Sequence, residues 1–168
     1  MPTTAFKAQK HQERWNEIVR DPALRDLPYK VEINNRGQIV LSPHTAYHAR
    51  QQKAVMTHLD TLLPEGEAYQ EYPVATAEGT KQVDVMWASE EREREMQETG
   101  DPPTLAPEIC VEVLSDSNTW AEMEGKRGLY LEAGAEEVWA VTEGGNVRFF
   151  ADEELEGSEL VSGFPGEL

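Results

Sequence analysis

The stretch from residue 108 to residue 151 constrains the fold more than any other. EICVEVLS (108–115) is apolar on both faces except for Glu112, the pattern of a strand covered on both sides. Thr119 and Glu122 then form a capping box that opens a helix over 120–133, and Gly134 supplies the position just past its end. A second apolar run, EVWAVT (137–142), follows. Strand, helix and strand in succession imply a right-handed parallel crossover with helical cover. The turn Gly144-Gly145-Asn146 leads into a further strand at 147–151, and the acidic tail is expected to add an edge strand around Leu160 and Val161.

Upstream, residues 5–20 read as a helix with Trp15, Ile18 and Val19 on one side. Residues 29–42 (YKVEINNRGQIVLS) form a hairpin about Asn34-Asn35-Arg36-Gly37. A long helix over 45–63 places Val55, Leu59, Leu62 and Leu63 on one stripe, and Pro64 stops it. Two strands, 67–75 and 81–88, are joined at Ala77-Glu78-Gly79-Thr80 and make the sheet mixed. Residues 89–107 carry almost no apolar side chains and read as a short solvated helix with a proline-rich loop, either a flap or an insertion without a role. Gly125 and Gly128 weaken the helix at 120–133 by roughly 1 kcal/mol each, and close packing on the sheet is the expected reason for them. The whole is an α/β sandwich, one domain over 1–168, with helices on both faces of a mixed sheet.

Composition narrows the function. No run approaches the length of a membrane span, and the N-terminus has no apolar signal core, so a cytoplasmic protein is expected. The single cysteine, Cys110, reads as a small core residue. The net charge of −17 is unevenly spread: residues 1–62 carry nine Lys/Arg against six Asp/Glu, and residues 63–168 carry six against 26. Nucleic-acid binding then depends on the basic N-terminal third or on a metal ion offsetting local acidity. The other reading is that the excess acid is a solubilising surface.

Two acids break the apolar strands: Asp84 in QVDVMWA and Glu112 in EICVEVLS. Gln82, Asp84 and Met86 share one strand face, and Cys110, Glu112 and Leu114 share another. On adjacent strands in register the two carboxylates point the same way, an arrangement that calls for a cation. Mg²⁺ suits it, because that ion accepts one or two carboxylates and keeps several waters. The competing reading is an ion pair, for instance Glu112 with Lys126. Lys126 lies between Met123 and Tyr130 on the following helix, so its stem runs near the buried face. Its amine is placed either to orient a water and stabilise phosphate charge or simply to be solvated. His48, Gln51 and Gln52 project from the long upstream helix as accessory polar groups. No zinc-spaced His/Cys cluster and no glycine-rich phosphate loop is present, and Ser/His/Asp catalysis has no support.

The order αβββαβ, with Asp84 and Glu112 on its second and third strands, resembles the restriction-endonuclease-like PD-(D/E)xK superfamily. LSPHTAYH, KQVDVMWAS, APEICVEVLSDSN, EGKRGLYLEAGAEEVWAV and VSGFPG are similar to a bacterial "putative restriction endonuclease" family, formerly a domain of unknown function. The likeness covers about 27–168 and is most specific from Ala106 to Val141. It implies a Mg²⁺- or Mn²⁺-dependent phosphodiesterase acting on DNA. Asp84, Glu112 and the carbonyl of Val113 would hold the metal, and Lys126 would orient the attacking water. Superfamily members also commonly pair to cut two strands, so a homodimer through the C-terminal edge strand is expected. The chain departs from the general pattern at Val83, where a proline is usual, and at Leu114, where a lysine is usual. Lys126 then stands for a lysine shifted onto the next helix. Gln51 and Gln52 stand where an acid often lies. These departures leave a second reading: an inactive nuclease-fold protein that serves as an interaction or nucleic-acid-binding module.

Overall fold

The computed structural model describes residues 4–168. Helix α1 (Thr4–Val19) buries Ala8, His11, Trp15 and Ile18, while Val19, expected on the same stripe, is exposed. Strands β1 (Tyr29–Ile33) and β2 (Ile39–Pro43) form a separate two-stranded sheet. Their turn is closed by the Asn34 side chain, which accepts from the backbone N–H of Arg36 and Gln38, with Gly37 in the left-handed region. Strand alternation sets Val31 and Ile33 against Trp15 and Ile18 of α1 and leaves Lys30 and Glu32 on the other face.

Helix α2 (Ala46–Leu62) starts at Thr45, whose hydroxyl accepts from His48 N, and buries Val55 and Leu59 completely. The remaining elements are β3 (Gly66–Thr76), β4 (Gly79–Ser89), α3 (Glu90–Glu98), β5 (Ile109–Val113), α4 (Trp120–Glu132), β6 (Glu137–Val141), β7 (Val147–Phe150) and β8 (Glu154–Leu155). The main sheet runs β3-β4-β5-β6-β7-β8. Among the described strands only β5 and β6 are parallel, and they are joined by α4 as the crossover pattern requires. One face packs Val85, Trp87, Val111 and Trp139 against Val55 and Leu59 of α2. The opposite face packs Met86, Cys110, Val138 and Ala140 against Met96 of α3 and Met123 and Tyr130 of α4. The expected mixed sheet with helices on both faces is therefore what the chain forms.

Three further local expectations change. Residues 89–107 are a packed cover and not a flap. Met96 and Ala106 are fully buried, and Arg92 Nη1 donates to the carbonyls of Ala106 and Gly134 at 2.8 and 2.9 Å. The tail has its edge strand at β8, not at Leu160 and Val161. The backbone of 159 and 160 is instead held by the buried Glu137 carboxylate, which accepts from Glu159 N, Leu160 N, Ser158 Oγ and Trp139 Nε1. The C-terminal sheet edge thus offers only the two residues of β8 for pairing with another copy. Gly125 and Gly128 serve no close packing, because a Cβ at either would meet open space.

The hairpin is tied to the main sheet at one point that matters for the site. A Cβ on Gly79 would lie 1.9 Å from the Ile33 carbonyl oxygen, so only glycine, at φ +110°, lets the β3–β4 turn approach β1. Next to it, Gln82 N donates to Glu32 Oε2 at 2.9 Å and Lys81 Nζ donates to Ile33 O at 3.4 Å.

Candidate active site

The β4–β5 ladder pairs Met86 with Cys110 and Val85 with Val111. One further step along the same register sets Asp84 opposite Glu112, both on the face that carries α4. The β3–β4 ladder has a gap at this level, between the pairs Gln70–Val85 and Tyr72–Val83. In that gap Glu71 adopts φ +52°, a costly backbone for a non-glycine residue, and its carboxylate lies 3.4 Å from His44 Nε2. Regular pairing thus stops where Asp84 sits.

Both acids are almost wholly buried, and the compensating cation comes from the hairpin. Lys30 Nζ donates to Asp84 Oδ1 at 2.9 Å and to Glu112 Oε2 at 3.2 Å, bridging the two carboxylates. Asp84 Oδ2 accepts from Val113 N at 2.8 Å and lies 3.3 Å from His48 Nε2. Glu112 Oε1 accepts from Tyr130 Oη at 2.6 Å and lies 3.5 Å from Lys126 Nζ. Lys126 Nζ also sits 3.0 Å from both oxygens of Glu32, the other charged residue on the inner face of β1. Every oxygen of Asp84 and Glu112 therefore has a protein partner, which a buried carboxylate requires.

With all groups ionised, three carboxylates (Glu32, Asp84, Glu112) face two ammoniums (Lys30, Lys126). The uneven burial and partnering decide where a proton goes. Burial alone would raise Asp84, but the Lys30 charge and the His48 contact overcome it and hold Asp84 well below the ordinary carboxylate range. For Glu112 burial wins. Lys126 and Lys30 pull down, Asp84 and Glu32 push up, and its pKa reaches about 7. Glu32 is lowered, since Lys30 and Lys126 outweigh its burial. Lys30 is opposed by its burial but held well above its usual value by Glu112, Asp84 and Glu32.

The cluster forms the floor of a cleft of about 540 Å³. One wall is β2 with Leu41 and Pro43, continued by His44, and the other is the loop and first turns of α4 with Ser115, Asn118 and Glu122. The lysines that line it are Lys30, Lys81 and Lys126, outnumbered by Glu32, Glu78, Asp84, Glu112 and Glu122, so the cleft is not a basic groove.

Of the residues singled out in the sequence, Asp84, Glu112, Lys126, Val113 and His48 lie together here. Gln52 is buried and donates to the Asp84 backbone carbonyl at 3.3 Å. Gln51 does not join them; it faces the turn at Gly145. Sequence reasoning missed Lys30 and Glu32. The signal available was their i, i+2 spacing in YKVEI, which puts both on one face of a strand whose other face is Val31 and Ile33.

Among the described residues no three His, Cys, Asp or Glu side chains gather into a metal-binding group. The oxygen donors for a cation are the two carboxylates and backbone carbonyls such as that of Val113. This hard-oxygen set fits Mg²⁺ in kind, since that ion keeps much of its water. Among the described residues no helix is long and apolar enough to cross a membrane.

Comparison with known proteins gives two results. The coordinates superpose on the crystal structure of a DUF820 protein from Anabaena variabilis described as a "putative nuclease". The TM-score is 0.64 at 14% identity, covering 92% of this chain and 83% of that one, and at such identity the likeness speaks for the fold. No curated protein matches the sequence. The profile of the Uma2 family, described as "putative restriction endonuclease", matches residues 15–164. Because that match takes in nearly the entire chain, this protein is a member of the Uma2 family.

Proposed function

We propose that the protein is a Mg²⁺- or Mn²⁺-dependent phosphodiesterase that cleaves nucleic acid, with DNA as the expected substrate. The observation that carries this reading is the convergence of Asp84 and Glu112 on one point at the floor of an open cleft, with the Lys126 amine beside them. In this reading Asp84, Glu112 and the Val113 carbonyl hold the metal. A bound divalent ion supplies Lewis-acid polarisation of a phosphoryl oxygen and acidifies a coordinated water. Asp84, held ionised by its neighbours, keeps its negative charge across the neutral range. Lys126 fixes Glu112 and Glu32 and offers its remaining N–H to a water or a phosphate oxygen. Hydrolysis adds the water oxygen to phosphorus, breaks one ester P–O bond and leaves the proton on the departing oxygen.

Calorimetric titration with Mn²⁺, paired with a plasmid-nicking assay, tests the proposal. Asp84→Asn should lose both metal binding and cleavage. Lys126→Ala should keep metal binding and its circular dichroism spectrum, while cleavage falls about a hundredfold or more, in line with loss of a group acting on the reacting atoms. Cleavage that survives Asp84→Asn sinks the assignment. A second reading has its own support. The complete pairing of both carboxylates by protein donors and the acidic cleft favour a non-cleaving module of the same fold. Absence of any metal response in the wild-type protein would decide for that module.

A further inference from the structure

Lys30 occupies the position in which a cation shared by Asp84 and Glu112 would sit. Its Nζ is 2.9 Å from Asp84 Oδ1 and 3.2 Å from Glu112 Oε2, and among the described residues no other amine touches both. Its side chain is nearly inaccessible, so its charge is desolvated along with those of the acids. A dication added beside this ammonium would meet like-charge repulsion at short range in a poorly screened site. A lysine stem is flexible, and the backbone that carries it is fixed at Glu32–Gln82 and at Gly79. The amine can therefore leave while the strand stays.

We propose that Lys30 is a resident internal cation: the divalent metal and the Lys30 ammonium are alternative occupants of one position, and metal enters only by displacing the amine toward the cleft. The proposal builds on the metal-site reading above and adds a residue that sets metal affinity. It has two consequences. The metal-free protein stays folded because its buried acids are never left unpaired. Metal affinity is also weaker than the two carboxylates alone would give.

The test is Mn²⁺ titration of the intact chain at one pH, comparing wild type, Lys30→Met, Lys30→Arg and Asp84→Asn. Lys30→Met keeps the stem and removes the charge, so it should bind Mn²⁺ at least tenfold more tightly, whereas Lys30→Arg should show no such gain. A wild-type readout stands beside it in case Lys30→Met folds poorly without metal. Acylation of lysines with an activated ester, followed residue by residue in a mass spectrometer, should find Lys30 slow in metal-free protein and several-fold faster at saturating Mg²⁺. Equal or weaker Mn²⁺ binding by Lys30→Met, or a Lys30 acylation rate indifferent to Mg²⁺, overturns the exchange. If binding is then still abolished by Asp84→Asn, the metal site itself stands. No Mn²⁺ binding by any variant overturns both the exchange and the metal-site reading.

Discussion

Glu112 is the residue whose surroundings matter most for what the protein does across pH. Its carboxyl takes up a proton near 7 in the folded chain but near the ordinary glutamate value of 4.5 when unfolded. A raised carboxyl favours the fold only while it is protonated. Its stabilising effect is full below about 4.5 and is lost as pH climbs to about 7. In metal-free protein the drop across this window should reach up to about 3 kcal/mol, and Glu112→Gln should flatten it; urea melts at pH 5 and pH 8 in chelator measure the difference. An equally steep loss in Glu112→Gln would mean that another group titrates. Asp84 acts in the opposite sense, contributing above its unfolded pKa and losing its effect only in strong acid. Asp84 and Glu112 stood out in the sequence because each interrupts an apolar strand. Lys30 and Glu32 did not, because a charge on alternate positions of a hairpin strand is what a solvent-facing hairpin also shows. Their burial depends on β1 lying over β4, a long-range contact with no local signature.

The elements that were easiest to read are those whose neighbours in sequence are also neighbours in space. The capping box at Thr119 and Glu122 is present in both directions, and the parallel β5–β6 pair follows from it. Segment 89–107 misled because Met96 and Ala106 are too few to look like a core, yet each is buried, and Arg92 binds two carbonyls that no pattern announces. The C-terminal tail misled for a related reason. Its anchor is Glu137, a buried acid inside β6 that satisfies two backbone N–H groups, a serine hydroxyl and a tryptophan N–H. Glu137→Ala should leave these donors unsatisfied and cost about 3 kcal/mol. Amide exchange at Glu159 and Leu160 should accelerate sharply, while Mn²⁺ binding is unchanged, because Glu137 does not line the cleft. Slow exchange at those amides in the variant would show that Val161 and Phe164, packed in the core, suffice to hold the tail.

At the scale of the whole molecule, charge limits how nucleic acid can be held. A chain of net −17 repels a polyanion at long range, so association depends on what the cleft provides at close quarters. The lysines there are three, Lys30, Lys81 and Lys126, and all have carboxylate neighbours. Each phosphate neutralised by a basic side chain contributes about −0.9 to the slope of log K against log salt on duplex DNA. The slope for binding should therefore be no steeper than about −3, far shallower than for a protein with a basic groove. Fluorescence anisotropy of a short labelled duplex over a range of KCl, with Asp84→Asn to prevent turnover, measures it. Divalent ion should strengthen wild-type binding at fixed ionic strength, since it offsets the acids of the cleft, and should do so much less in Asp84→Asn. A steep salt slope would instead locate the contact on basic side chains of the N-terminal third that do not line the cleft, and would make α1 the surface to mutate next.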